Sequence, residues 1–165
     1  MTTSHRILRQ IVSEPELAAL AARLAGVLVA GDCVSLRGDL GAGKTTFARA
    51  LIRAYAMDQT LDVPSPTFAL RQDYVGGRGA IVHFDLYRIA DPRELDEIGF
   101  DDALANAVTV VEWPERAGAA LPASQLSIVL VHEPGPDLRR IAIEGDTAFR
   151  NRLARFTEPS SVPQK

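Results

Sequence analysis

Gly38-Asp39-Leu40-Gly41-Ala42-Gly43-Lys44-Thr45 reads G-x-x-x-x-G-K-[ST], the pattern of a phosphate-binding loop. Its glycines let the backbone curl so that successive N–H groups face an anion with no Cβ in the way. In such a loop Lys44 reaches the β- and γ-phosphates and the Thr45 hydroxyl ligates Mg²⁺. The helix that follows adds the positive end of its dipole. A pattern this short also arises by chance, so its flanks decide. Before it, Cys33-Val34-Ser35-Leu36 reads as a short buried strand. After it, Phe47, Ala48, Ala50, Leu51, Ile52 and Tyr55 mark an apolar helix face, with no Gly or Pro before Met57. Strand, loop and helix stand in the order the motif requires.

The rest of the chain agrees with an ordinary folded domain. At 165 residues it fits one domain and buries a substantial core. Apolar residues make up 47% and charged residues 24%, the usual globular balance. A net charge of −3 argues against a broad basic face that holds nucleic acid unaided. Partners would have to supply the surface for any role on RNA. The single cysteine, Cys33, excludes an intramolecular disulfide and a multi-cysteine zinc site, and reads as a small buried thiol. The first six residues lack the apolar core of a signal peptide. No run approaches the roughly 18 apolar residues of a membrane span. A cytoplasmic location is the default expectation.

Outward from the loop, residues 7–12 suggest an opening strand. Ser13-Glu14-Pro15-Glu16 then starts a helix, with Ser13 as N-cap and Glu16 three residues on. Leu17, Leu20, Ala21, Leu24 and Leu28 form its apolar face, and Gly31-Asp32 is the expected stop. Beyond the second helix, Pro64 and Pro66 force an extended connection across residues 62–67. Phe68, Leu70, Tyr74 and Val75 suggest a strand that turns back at Gly76-Gly77-Arg78-Gly79. The returning strand, residues 80–84, stops at Asp85. Short helices are expected at residues 94–98 and 100–105. A β-branched strand at 108–111 ends at Glu112, residues 126–132 and 139–143 frame a late hairpin, and 147–156 form a last helix. The expected fold is a three-layer α/β phosphate-loop NTPase type, its mixed parallel and antiparallel sheet flanked by helices. Residues 1–157 are expected to form one domain and residues 158–165 a disordered tail.

A phosphate loop needs a second carboxylate to hold Mg²⁺, and in open α/β sheets such groups sit at carboxyl ends of strands. Asp85 and Glu112 both fit, although either also reads as an ordinary surface acid at a strand end. Asp39, inside the loop, should point outward, away from phosphate charge. Thr46 has the right place for an α-phosphate contact. His83 reads as a core imidazole rather than a base, and His5 and His132 lack companions as ligands. Ser65 and Thr67 occupy a loop that either senses a γ-phosphate or is simply stiffened by proline. Trp113 either packs beside a nucleotide or belongs to the core.

Taken together, Gly38 to Thr46, Ser65-Pro66-Thr67, His83-Phe84-Asp85-Leu86-Tyr87-Arg88 and Val111-Glu112-Trp113-Pro114-Glu115 resemble the TsaE (YjeE) family of bacterial tRNA threonylcarbamoyladenosine biosynthesis. The likeness runs from about residue 13 to residue 121, with block order and spacing matching. After Gln125 no family motif is visible. The resemblance implies a small ATPase that binds ATP with Mg²⁺, hydrolyses it slowly alone and acts with the TsaB–TsaD pair, meeting tRNA only through that complex. Carried over by position, Gly41, Ala42, Gly43, Lys44, Thr45 and Thr46 cradle the phosphates. Thr45 and Glu112 become the metal ligands, with Asp85 beside the metal or the attacking water. Lys44, Asp85 and Glu112 form the catalytic set. Ser65 to Thr67 form a switch-like loop, Trp113 lies near the nucleotide, and the segment at Ser13 to Pro15 approaches the adenine.

Two other classes fit the phosphate loop itself. A small nucleotide or metabolite kinase would need an arginine lid, for which Arg71, Arg78, Arg88 and Arg93 are scattered candidates. A docking module would use nucleotide binding without needing hydrolysis.

Overall fold

Alternation along the central strands places apolar side chains on both of their faces, so the sheet must be covered on both sides. The computed structural model describes residues 3–157. Its elements are β1 (His5–Val12), α1 (Glu14–Ala25), β2 (Cys33–Arg37), α2 (Lys44–Ala56), β3 (Arg71–Gly76), β4 (Gly79–Asp85) and α3 (Glu94–Glu97). There follow α4 (Phe100–Asn106), β5 (Val108–Glu112), a 3-10 segment (Pro114–Ala120), β6 (Leu126–His132), β7 (Arg139–Gly145) and α5 (Thr147–Thr157). The strands form one sheet in the order β1-β7-β6-β2-β5-β4-β3. β6, β2, β5 and β4 run parallel, while β3, β7 and β1 join antiparallel at the two edges. This is the expected mixed sheet flanked by helices. The expected tail at 158–165 lies outside the described residues.

The two faces carry separate cores. Val34, Leu36, Val108, Val110 and Ile81 pack with Leu17 and Leu24 of α1, Phe47, Leu51 and Ile52 of α2, and Phe149 of α5. Cys33, Val82, Phe84 and Val111 face the other way, against Leu95, Phe100, Ala103 and Ala117. The Cys33 thiol is fully buried there, and that burial pushes its pKa up to about 11. It is the inert small group the sequence suggests.

Local signals account for most boundaries. The Ser13 Oγ accepts the Glu16 N–H, and the Glu16 carboxylate accepts the Ser13 N–H at 2.7 Å, completing a capping box. The helix stops at Ala25, however, rather than at Gly31-Asp32. Asp32 Oδ2 accepts the Val29 N–H at 2.8 Å, and Arg152 donates to the Val27 carbonyl at 2.9 Å. These side chains take the backbone groups that a longer helix would pair internally, and Leu28 is buried beyond the helix end. Phe68 likewise lies outside the strand expected there and is 83% exposed. Leu70 adopts φ +67°, a left-handed conformation that an extended strand cannot pass through, so β3 begins one residue later. The 3-10 segment after β5 has no counterpart in the elements expected from sequence. It opens at Trp113, whose φ of +55° turns the chain sharply after β5.

Candidate functional site

The sheet changes direction at β2. From it the chain crosses to β3, β4 and β5 on one side and later to β6 on the other. The crevice at the carboxyl end of such a strand is where open α/β sheets bind ligands. The phosphate loop leaves β2 there. Gly38 holds φ +150° and Gly43, at the N-cap of α2, holds φ +103°. A Cβ on Gly38 would run into the carbonyl oxygen of Leu130 on β6, so glycine is required by close approach as well as by conformation.

Register explains why the acids meet. In the parallel pair β4 and β5, Asp85 stands opposite Glu112, and in β2 and β5, Leu36 stands opposite Glu112. Both strands therefore end at one level. Their period-2 alternation puts His83, Asp85 and Glu112 on the face covered by α2. Thr45, in the first turn of α2, donates its hydroxyl to Glu112 Oε2 at 3.1 Å. Glu112 Oε1 meets His83 Nε2 at 2.9 Å on the core side. Asp85 Oδ2 accepts the hydroxyls of Thr67 at 3.0 Å and Ser65 at 3.3 Å, and its Oδ1 accepts the Tyr87 N–H at 3.0 Å. Glu112 and Asp85 are only 2% and 3% exposed, unlike ordinary surface acids.

Lys44 is 5% exposed and folds back over the loop. Its Nζ donates to the carbonyls of Gly38 at 2.7 Å and Asp39 at 2.9 Å, and sits 4.2 Å from the Trp113 ring centroid. Burial lowers its pKa, opposed by the nearby charges of Glu112 and Asp85. Trp113 also packs on Tyr87, with ring centroids 4.9 Å apart. Asp39 is exposed to solvent, which agrees with the expectation that its carboxylate faces outward.

A cleft of about 220 Å³ results, lined by Gly41, Gly43, Lys44, Thr45, Thr46, Ser65, Thr67, Asp85, Glu112, Trp113 and Arg139, with Leu40 at its rim. Of the residues expected to cradle phosphate, Ala42 does not reach it. Ala42 is buried, and its N–H donates to the Asp39 carbonyl at 3.0 Å. The segment at Ser13 to Pro15 contributes no wall to this cleft. Glu14 borders a smaller recess beside it with Gly43, Thr46 and Arg139. Two residues of the site escape sequence reading. Arg139 belongs to β7, which reaches the cleft only through antiparallel pairing with β6, and no local signal marks it. His83 was read as core, and it is fully buried, but its partner is a cleft carboxylate.

The donor set suits a hard divalent cation: one hydroxyl and two carboxylates, all oxygen. Among the described residues no group of three or more His, Cys, Asp or Glu side chains is placed to hold a metal by itself. Such a cation would draw its remaining ligands from phosphate oxygens and water, the usual arrangement for Mg²⁺. The loop fits phosphate on its own geometry, through its left-handed glycines and the start of α2.

A phosphate loop at the switch point of a mixed α/β sheet, faced by two buried strand-end acids, defines a P-loop protein. The family model described as threonylcarbamoyl adenosine biosynthesis protein TsaE matches residues 11–141, and the chain belongs to that family. The match extends past the last motif visible in the sequence. The tRNA threonylcarbamoyladenosine biosynthesis protein TsaE of Rickettsia conorii is 45% identical over 103 residues, 62% of this chain and 58% of that protein. The protein of the same name from Bacillus subtilis is 36% identical over 151 residues, 91% of this chain and 90% of the relative. The crystal structure of Bacillus subtilis YdiB superposes with a TM-score of 0.73 at 29% identity, covering 96% of this chain and 99% of that one. The chain thus spans less than two thirds of the Rickettsia conorii relative and nearly all of the Bacillus subtilis one. No helix among the described residues is long and apolar enough to cross a membrane.

Proposed function

We propose that this chain binds ATP with Mg²⁺ in the cleft, hydrolyses it slowly alone, and acts with TsaD and TsaB homologues in the cytoplasm to sustain threonylcarbamoyladenosine modification of tRNA. The observation that carries the reading is the Thr45–Glu112 hydrogen bond beneath Lys44. It joins the loop hydroxyl, the strand-end carboxylate and the loop lysine in one cleft. The relatives' names supply the pathway. The net charge of −3 agrees with tRNA being met through partners.

Lys44 exchanges the carbonyls of Gly38 and Asp39 for phosphate oxygens, and the Trp113 face keeps its ammonium aimed into the cleft. Thr45 and Glu112 would hold the cation, which neutralises charge between the β- and γ-phosphates when bound. Asp85 anchors Ser65 and Thr67, so the loop at 62–67 presents hydroxyls where a γ-phosphate and its attacking water would lie. Stabilisation of developing charge by fixed groups of this kind is the main source of rate in phosphoryl transfer.

Lys44→Ala and Glu112→Ala should each reduce ATP turnover by about 10²–10³-fold while circular dichroism and melting behaviour stay native. Undiminished hydrolysis in the folded variants would overturn the assignment. A tRNA-modification assay with the TsaB and TsaD homologues, with and without this chain, tests the pathway. Running it under single and multiple turnover separates a factor needed for the first cycle from one that resets the complex.

The kinase alternative draws little support from the arginines. Arg71 is held by Asp73 and the Ile98 carbonyl, Arg78 by the Gly26 carbonyl, Arg93 by Asp91, and Arg88 lies over Phe68. None of the four lines the cleft.

A further inference from the structure

We infer that His83 is a positioning residue for Glu112: its Nε2–H fixes one carboxylate oxygen in the core, so that the other is presented to Thr45 and to a divalent cation in the cleft. The inference rests on the nucleotide-binding reading above. It starts from the division of the Glu112 carboxylate between two partners on opposite sides, Oε1 with His83 at 2.9 Å and Oε2 with Thr45 at 3.1 Å. The imidazole side of this contact is sealed from solvent, with His83 at 0% exposure, while Glu112 lines the cleft.

The second ring nitrogen defines the direction of the bond. His83 Nδ1 is buried and has no hydrogen-bond partner among the described residues. An ionised carboxylate only accepts, and a neutral imidazole offers one donor and one acceptor. Nε2 therefore carries the hydrogen that Glu112 receives, and in the neutral ring Nδ1 is the bare nitrogen. A buried polar atom without a partner is costly. An apolar side chain would fill this strand position without that cost, as Ile81 does two residues earlier on the same face. What the imidazole adds is a rigid donor at the right depth.

The need for it follows from the neighbourhood. Among the acids, Glu112 exerts the largest pull on the Lys44 ammonium, and both residues line the cleft. A carboxylate held only by Thr45 is free to rotate toward that ammonium and close the oxygen position at the foot of α2. With Oε1 pinned in the core, Oε2 stays beside Thr45. Removing an outer partner of a metal-binding carboxylate commonly costs 10–100-fold in metal affinity.

The test uses the whole protein with His83→Leu and His83→Gln, the Gln amide reaching about as far as Nε2. Binding of a fluorescent ATP analogue is titrated against Mg²⁺ and, separately, measured in EDTA. We expect His83→Leu to raise the Mg²⁺ midpoint by roughly 10–100-fold, to leave binding in EDTA unchanged, and His83→Gln to restore most of the loss. Equal losses with and without Mg²⁺, an unchanged midpoint, or failure of Gln to restore it would overturn the role. Nitrogen NMR of the wild-type imidazole gives a readout that needs neither ATP nor metal nor a variant that folds. A protected Nε2–H with a bare Nδ1 supports the inference, and the opposite tautomer sinks it. If wild-type protein bound no nucleotide while the NMR result held, the functional reading would fall and the His83–Glu112 bond would stand.

Discussion

Gly38 and Gly41 show how differently two glycines of one motif are constrained. Both have positive φ, +150° and +81°. Yet a Cβ on Gly41 meets nothing within 4 Å, whereas one on Gly38 meets the Leu130 carbonyl and the Ala42 side chain. Gly41→Ala should cost only the conformational penalty of a left-handed residue, about 1–2 kcal/mol. Gly38→Ala should add an overpacking cost of about 1–3 kcal/mol and displace the loop from β6. Thermal melting of the two variants checks this, and equal losses would contradict it. Lys44, Thr45, Asp85, Glu112 and Trp113, which the structure gathers in one cleft, were legible as candidates because each occupies a place defined by a motif or a strand end. Ala42 is also expected to cradle phosphate, but it is buried with its N–H on the Asp39 carbonyl; the pattern does not say which loop N–H groups turn inward. His83 and Arg139 were hidden for another reason: the site partner of His83 lies 29 residues away, Arg139 reaches the site from β7 through its pairing with β6 in the same sheet, and no spacing rule spans such separations.

At the scale of elements, caps and strained residues set the boundaries. Asp146 caps α5, accepting the Phe149 N–H at 2.9 Å and the Ser124 hydroxyl at 2.5 Å. The Ser124 hydroxyl first, and then the Phe149 amide, hold its carboxyl below the usual range. A depressed folded-state pKa means that this stabilisation is fully present above the unfolded value, near 3.9, and is lost as pH falls through the lower folded value. Asp146→Ala should therefore destabilise the protein at pH 7 by about 1 kcal/mol. The gap between variant and wild type should narrow once the pH falls well below about 4. Melting curves at the two pH values check the prediction, and a gap that widened in acid would refute it. The ends of α1 and β3 were misread from sequence for a related reason. Asp32, Arg152 and the left-handed Leu70 act there through tertiary contacts that hydrophobic periodicity does not register.

Across the whole molecule, one ion pair ties α5 to the turn before the central strand. Arg152 in α5 holds both oxygens of Asp32, at 2.6 and 2.9 Å, and also the Val27 carbonyl. Arg152→Ala should loosen α5 from the turn below β2 and cost about 1–2 kcal/mol, the partial exposure of the pair discounting its charge. For a chain of this size that is a fall in Tm of about 2–8 °C, with ATP turnover unaffected, since neither residue lines the cleft. By itself the sequence determined the strand, loop and helix around Lys44, the two acidic strand ends, the α/β class and the family likeness. Each of these is local: spacing, alternation, capping and turn chemistry act within a few residues. Only the tertiary structure decided that β2 lies between β5 and β6, that Asp85 and Glu112 end at one level beneath α2, and that His83 and Arg139 belong to the site. Strand order and register come from burying two apolar faces at once, a condition met by the whole chain and written in no single stretch of it.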